Sequence, residues 1–201
     1  MDRLMPSTLF LIRKPYLSGQ IYTSIMPRQS DFYDDRPEDL QAYIRNIGND
    51  RHPLSLLLAG ITDVRNIGSL FRLADAARLA HLYFYGPAEL LEHRKVRRVA
   101  RATLDYVPHS TLDLEGVQAL AKDHPLLGLE ITDQSLPYTQ VETQEATILV
   151  VGQEAHGIPP EILELCRQTM HLPMYGVNTS MNVAMAAGIA VYDQIRQLKQ
   201  H

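Results

Sequence analysis

The sequence predicts an α/β protein: a three-layer, mostly parallel sheet covered by helices on both faces. From Leu54 onward, short apolar runs alternate with helical patterns, the order expected of successive strand–helix units. The runs are continuous rather than alternating, as in Ala146 to Val151 (ATILVV), which marks strands buried on both sides. A glycine-flanked loop, Gly152-Gln153-Glu154-Ala155-His156-Gly157, leaves one of these strands at the carboxyl edge of the sheet, where ligands of open α/β sheets bind.

Strands are expected at Leu54–Ala59, Leu82–Tyr85, Tyr106–Pro108, Leu126–Ile131, Ile148–Val151 and Met170–Leu172. Helices are expected at Ile67–Arg78, Glu89–Thr103, Leu112–Lys122, Pro160–Cys166 and Met181–Lys199. Residues 1–36 carry scattered Pro, Ser and Tyr with no sustained period. Pro37–Gly48 reads as a short helix, with Pro at its start, acids in its first turn and Gly at its end. The division is therefore an N-terminal extension over residues 1–50 and a main domain over residues 51–201.

At 201 residues the chain is long enough to bury one substantial core. Its 45% hydrophobic and 21% charged content is ordinary for a globular protein. A formal charge of −4 argues against nucleic-acid binding by bulk charge and leaves room for a local basic patch. The single cysteine, Cys166, excludes an internal disulfide and a cysteine-based zinc site. No apolar run approaches the ~20 residues that span a bilayer. The expectation is a cytoplasmic protein with no membrane partner and no metal.

Several residues stand out chemically. Glu154 is a carboxylate between two loop glycines at the end of a buried strand. Met170 to Ala187 (MHLPMYGVNTSMNVAMAA) repeats the order strand, glycine turn, polar cluster, helix, so two loops can converge on one polar pocket. Asn66 and Arg72 bracket an amphipathic helix start; with Asn66 as cap, Arg72 falls in the second turn and can reach the space before the sheet edge. Ser180 and Asn182 fit a helix cap, and the cap can orient them for a pocket. His156 reads as a loop histidine rather than a base.

Arg94, Arg97, Arg98 and Arg101, flanked by Lys95, recur at helical spacing on one face. Such a stripe is either a solvated face or a set of phosphate contacts to RNA, which would add affinity and salt dependence without sequence specificity. The G-x-G-x-x-G fingerprint of dinucleotide-binding folds is absent after the first strand, and Ser180 lacks the G-x-S-x-G elbow of a hydrolase.

Three ordered segments resemble the motifs of the SpoU/TrmH branch of the SPOUT RNA methyltransferases. Asn66-Ile67-Gly68-Ser69-Leu70-Phe71-Arg72-Leu73-Ala74-Asp75-Ala76 is similar to the first and Val150 to Ile158 (VVGQEAHGI) to the second. Leu172-Pro173-Met174-Tyr175-Gly176 through Ser180-Met181-Asn182-Val183 is similar to the third, with Met181 where Leu is commoner. Together they cover roughly residues 54 to 198. The resemblance implies a C-terminal deep trefoil knot, a homodimer, and transfer of a methyl group from S-adenosylmethionine to RNA, most simply to a ribose 2′-hydroxyl of tRNA or rRNA. It implies catalytic roles for Asn66, Arg72, Glu154, Ser180 and Asn182, with Arg72 beside the reacting ribose as base or as phosphate clamp. For the cofactor it implies Leu129, Glu130, Thr132, Gly152, Glu154, Gly157, Leu172, Met174, Ser180, Asn182 and Val183. The alternatives are a non-catalytic RNA-binding module on the same fold and an ordinary nucleotide-binding enzyme. The missing glycine cradle speaks against the last.

Overall fold

The computed structural model describes residues 51–144 and 146–199. The expected extension over residues 1–50, with its helix at Pro37–Gly48, lies outside the described residues. Seven strands form one sheet: β1 (Leu54–Ala59), β2 (Leu82–Tyr85), β3 (His109–Leu112), β4 (Leu126–Leu129), β5 (Leu136–Pro137), β6 (Thr147–Gly152) and β7 (Gln168–His171). Their spatial order is β3-β2-β1-β6-β4-β7-β5, and every neighbouring pair runs parallel. The helices are α1 (Val64–Ala76), α2 (Glu89–Glu92), α3 (Arg94–Ala100), α4 (Thr103–Tyr106), α5 (Leu114–Asp123), α6 (Pro160–Leu163) and α7 (Val183–Leu198).

The central strands β1 (LSLLLA) and β6 (TILVVG) are buried along their whole length. Successive side chains of a strand point to opposite faces, so β1 serves two cores. Leu54, Leu56 and Leu58 pack with Ile67 and Phe71 of α1, Val96 of α3 and Val191 of α7. Leu57 and Ala59 pack with Val117 of α5 and Ile162 of α6 on the other face. The result is the expected three layers. From β1 the chain builds outward through β2 and β3 on one side, while β6, β4, β7 and β5 lie on the other. The carboxyl ends of β1 and β6 therefore meet at a switch point, the place where such sheets form crevices. Ala59 pairs with Gly152 in register, so the loops leaving the two strands start side by side.

The elements differ from the sequence expectation where local chemistry is silent in hydrophobic pattern. Helix α1 begins at Val64 rather than Ile67 because Asp63, not Asn66, is its cap; Asp63 Oδ1 accepts the Arg65 N–H at 2.7 Å. The single helix expected over Glu89–Thr103 is three pieces, α2, α3 and α4. His93 is extended and caps α3, its Nδ1 accepting the Lys95 N–H at 3.1 Å. Arg101 then turns the chain with φ 58°, a conformation that ends α3. Tyr106 closes α4 instead of opening a strand, and Val107, the apolar residue that suggested one, is buried beside it. The strand itself is β3, which begins at His109, is polar (HSTL) and is bonded on one side only. Strand β4 stops at Leu129, short of Ile131, β7 begins at Gln168, before Met170, and α6 stops at Leu163, short of Cys166. The two-residue edge strand β5, which tolerates Pro137 because its outer side is unpaired, had no hydrophobic signal.

Candidate active site

Three loops leave the carboxyl edge around the switch point and bring one polar side chain each to a common junction. Asn66 comes from the first turn of α1, Glu154 from the loop after β6, and Asn182 from the end of the loop after β7. Asn66 is buried, with 8% of its surface exposed, so its amide needs partners. It has both: Nδ2 donates to Glu154 Oε1, and Oδ1 accepts from Asn182 Nδ2 at 2.9 Å. Asn182 is held from its other end as the cap of α7, Oδ1 accepting the N–H groups of Ala184 at 3.0 Å and Met185 at 3.3 Å. The cap fixes which way its amide points, and that orientation presents the donor to Asn66.

A cavity of about 360 Å³ adjoins this junction, within the range of small-molecule sites. Leu129, Leu172, Met174 and Val183 give it apolar walls, and Glu130, Gly152, Glu154, Gly157 and Ser180 supply polar groups and close backbone. All were expected there. Thr132 was also expected, but its hydroxyl bonds Thr169 Oγ1 at 2.9 Å, tying the loop after β4 to β7, and it is not among the lining residues. Asn182 likewise touches Asn66 rather than lining the cavity. Ile131, Gln153, His156, His171, Met181 and Ala186 line it without having been singled out for the cofactor. Ile131, Gln153, His156, His171 and Met181 are direct neighbours of residues that were, and Ala186 carries no distinguishing signal.

The floor of the cavity depends on close backbone packing. A Cβ on Gly152 would lie 2.1 Å from the carbonyl carbon of Gly157, so the loop folds directly onto the strand end. Gln153 and Gly157 exchange both backbone hydrogen bonds, at 3.1 and 2.9 Å, closing residues 153–157 into a tight turn that carries Glu154 at its tip. Gly157 holds φ +69°, a region open to glycine at little cost.

The SpoU rRNA methylase family model matches residues 53–192. The chain belongs to that family. It is 26% identical over 179 residues to the tRNA (guanosine(18)-2′-O)-methyltransferase of Aquifex aeolicus, covering 87% of this chain and 77% of that protein. It is 27% identical to the 23S rRNA (guanosine-2′-O-)-methyltransferase RlmB of Pasteurella multocida, covering 89% and 73%. Among solved structures, the A. aeolicus TrmH/SpoU tRNA modifying enzyme shares the fold, with a TM-score of 0.71 at 24% identity over 81% of this chain and 85% of that one. AviRb of Streptomyces viridochromogenes, a SpoU methyltransferase solved with AdoMet, superposes with a TM-score of 0.65 at 26% identity, covering 73% and 61%.

The remaining expected site residues of this SpoU family chain lie elsewhere. Arg72 is exposed on the outer flank of α1, in line with Arg65 and Ser69, and does not line the cavity. Beside that flank runs α7, whose Met185, Ile189 and Tyr192 form an exposed stripe, with the Tyr192 hydroxyl donating to the Ala76 carbonyl at 3.4 Å. Arg94, Lys95, Arg97 and Arg98 are exposed on α3, while Arg101 is exposed but beyond the helix end, so the expected four-residue stripe is three arginines on one face plus a fourth on the turn.

Arg65, next to Asn66 in the first turn of α1, was not anticipated. Its guanidinium bonds Asp63 at 2.7 Å. That contact, and more weakly Glu154, raises its already high pKa. The same contact holds the Asp63 carboxyl at about 2, below its ordinary range. On the far side of the sheet, burial pushes the Cys166 thiol up to about 12, so it is no nucleophile. Among the described residues, no group of three or more His, Cys, Asp or Glu is placed to hold a metal ion, and no helix is long and apolar enough to cross a membrane.

Proposed function

We propose that this protein transfers a methyl group from S-adenosylmethionine to a ribose 2′-hydroxyl of tRNA or rRNA. The observation that carries the proposal is the junction of Asn66, Glu154 and Asn182, one residue from each family motif, at the rim of a cavity with apolar walls and backbone-rich loops. Such a cavity suits an adenosine: flat apolar surfaces for the ring, N–H and C=O groups at its edges. The bound cofactor supplies an electrophilic methyl on a sulfonium, which leaves as the neutral thioether when the hydroxyl oxygen takes the methyl.

The chain's own residues place the reactants. Asn182 orients Asn66, and Asn66 holds Glu154 by one carboxylate oxygen, leaving Oε2 as the acceptor for the hydroxyl proton. Ser180 lines the same rim. No metal enters this scheme, and most of the acceleration comes from holding oxygen and methyl at attack distance. Arg72 clamps substrate phosphate through paired guanidinium hydrogen bonds, and α3 adds phosphate contacts through Arg94, Arg97 and Arg98. Arg72 shares a flank with the Met185–Ile189–Tyr192 stripe, which we assign to a homodimer interface; pairing of two chains is then what brings Arg72 to a cavity.

We further assign the catalytic domain to residues 51–201 with residues 1–50 as an extension, a cytoplasmic location, and a deep trefoil knot in the C-terminal part. The insertion of β7 between β4 and β5 and the tight folding of Gly157 onto Gly152 support the knot. Two experiments test the function. Calorimetric titration with S-adenosylhomocysteine should show binding; its absence would remove the cofactor reading. Mapping methylated nucleotides in RNA from cells with and without the protein should reveal one or a few lost 2′-O-methyl groups.

A further inference from the structure

We propose that Glu130 is a positioning residue: its carboxylate pins the turn after β6 to the end of β4 and thereby sets where Glu154 meets Asn66. The proposal rests on reading the cavity as the methyl-donor site, and it replaces direct cofactor contact as the role of Glu130. Oε2 accepts the Ile158 N–H at 2.9 Å, a contact spanning 28 positions of sequence, and Oε1 accepts the Ile131 N–H at 3.1 Å. The carboxylate also lies against Gly157, where a Cβ would stand 2.2 Å from Oε2.

The turn 153–157 has two feet. One, Gly152, is fixed in the sheet opposite Ala59. The other, Gly157–Ile158, leaves the sheet, and Glu130 is the side chain that bonds it. Since Gln153 and Gly157 are bonded to each other, the turn moves as a unit. With the second foot released it can pivot about Gly152, carrying Glu154 away from Asn66. A carboxylate bonded to backbone N–H groups makes the shorter, stronger kind of hydrogen bond. Each of its oxygens holds a backbone donor, one from each side of the gap between β4 and the turn, and through these two bonds the group fixes the loop.

Glu130→Gln keeps the volume but must turn its NH₂ toward one of the two backbone donors, losing one bond. Amide exchange at Gly157 and Ile158, read in the protein without ligand, should accelerate about tenfold, the scale of one missing charge-assisted hydrogen bond. Affinity for S-adenosylhomocysteine and for its 2′-deoxyribose analogue should fall by the same factor, and turnover at saturating cofactor should fall as well. Glu130→Asp, too short to reach Ile158, should reproduce the exchange result if the Gln variant folds poorly. Unchanged amide exchange in the folded variants would overturn the proposal, as would a loss confined to the parent ligand, which would make Glu130 a ribose contact. If the unmodified protein binds no S-adenosylhomocysteine, the cavity reading fails, while the exchange measurement still decides the role of Glu130.

Discussion

Asn182 Nδ2 lies 2.9 Å from Asn66 Oδ1, joining the start of α7 to the first turn of α1 across 116 positions of sequence. Through Asn66 the link continues to Glu154. One short chain of side-chain hydrogen bonds thus ties together the loops after β1, β6 and β7.

Removing its middle member should be worse than removing either end. Asn66→Ala removes both links at once; Glu154 and Asn182 are exposed and can turn to water, so the cost is that of the two hydrogen bonds lost, about 1–3 kcal/mol. Methyl transfer should be nearly abolished. Asn182→Ala should also lower stability by about 1 kcal/mol, the usual cost of losing a cap. Thermal melting and single-turnover methyl transfer on both variants check the ranking.

Arg72→Ala should leave the melting temperature and S-adenosylhomocysteine affinity unchanged, because the side chain is exposed and outside the cavity. Turnover should fall about two orders of magnitude, the ~3 kcal/mol typical of removing a charge-stabilising group. Arg72→Lys should rescue little, since an ammonium lacks the planar paired geometry. If Arg72 serves the cavity of a paired chain, mixing Arg72→Ala with Asn66→Ala should restore activity to roughly a quarter of the unmodified level by random pairing of two-fold related subunits. No recovery on mixing would place Arg72 in its own chain's site.

Arg97→Glu combined with Arg98→Glu should weaken RNA binding and reduce the slope of log affinity against log salt by up to about 2, since each phosphate that a guanidinium no longer neutralises removes about one unit. Cofactor affinity should not change. An unaltered slope, measured by filter binding across salt concentrations, would make α3 a solvated face.

Asp63 gives a pH dependence of definite sign. Its carboxyl is held at about 2 in the folded protein by Arg65 and the helix N-terminus, below its value of 3.8 when unperturbed. The ionised cap therefore stabilises α1 above about pH 4, and that contribution disappears as pH falls through about 2. Arg65 is largely exposed, so the ion pair itself adds little. Asp63→Ala should cost about 1 kcal/mol at pH 7, and its urea midpoint should converge with that of the unmodified protein as the pH approaches 2.

The sheet and the junction were legible because each leaves a mark in one dimension. Buried central strands such as Leu54–Ala59 are unbroken apolar runs; Glu154 sits in a glycine-containing loop at the end of such a run, and Asn182 closes the glycine-containing loop after the more polar β7. The edge strands β3 and β5 are polar or too short, so hydrophobicity passes over them. The helix after β2 looked continuous because neither His93 nor Arg101 is a glycine or proline, yet a side-chain cap and one positive φ break it twice. Asn66 was expected as a cap because an asparagine preceding an apolar helix reads that way. Three residues earlier Asp63 fits the cap as well, and only the meeting with Glu154, 88 positions away, separates the two. Thr132 and Glu130 share a stretch, but the side chain that claims Thr132 is Thr169 of β7, 37 positions further on, and no local pattern announces that meeting.

Gly68 lies two residues after Asn66 on α1, and a Cβ there would stand 2.6 Å from Val99 Cβ and 3.0 Å from the Ala100 backbone nitrogen. The missing side chain at Gly68 lets Val99 and the backbone of α3 seat directly on α1. Where α3 grips an anionic strand, as proposed above, this packing sets how far the grip lies from the turn bearing Asn66. On that proposal the spacing between grip and chemistry acts as a ruler along the bound strand.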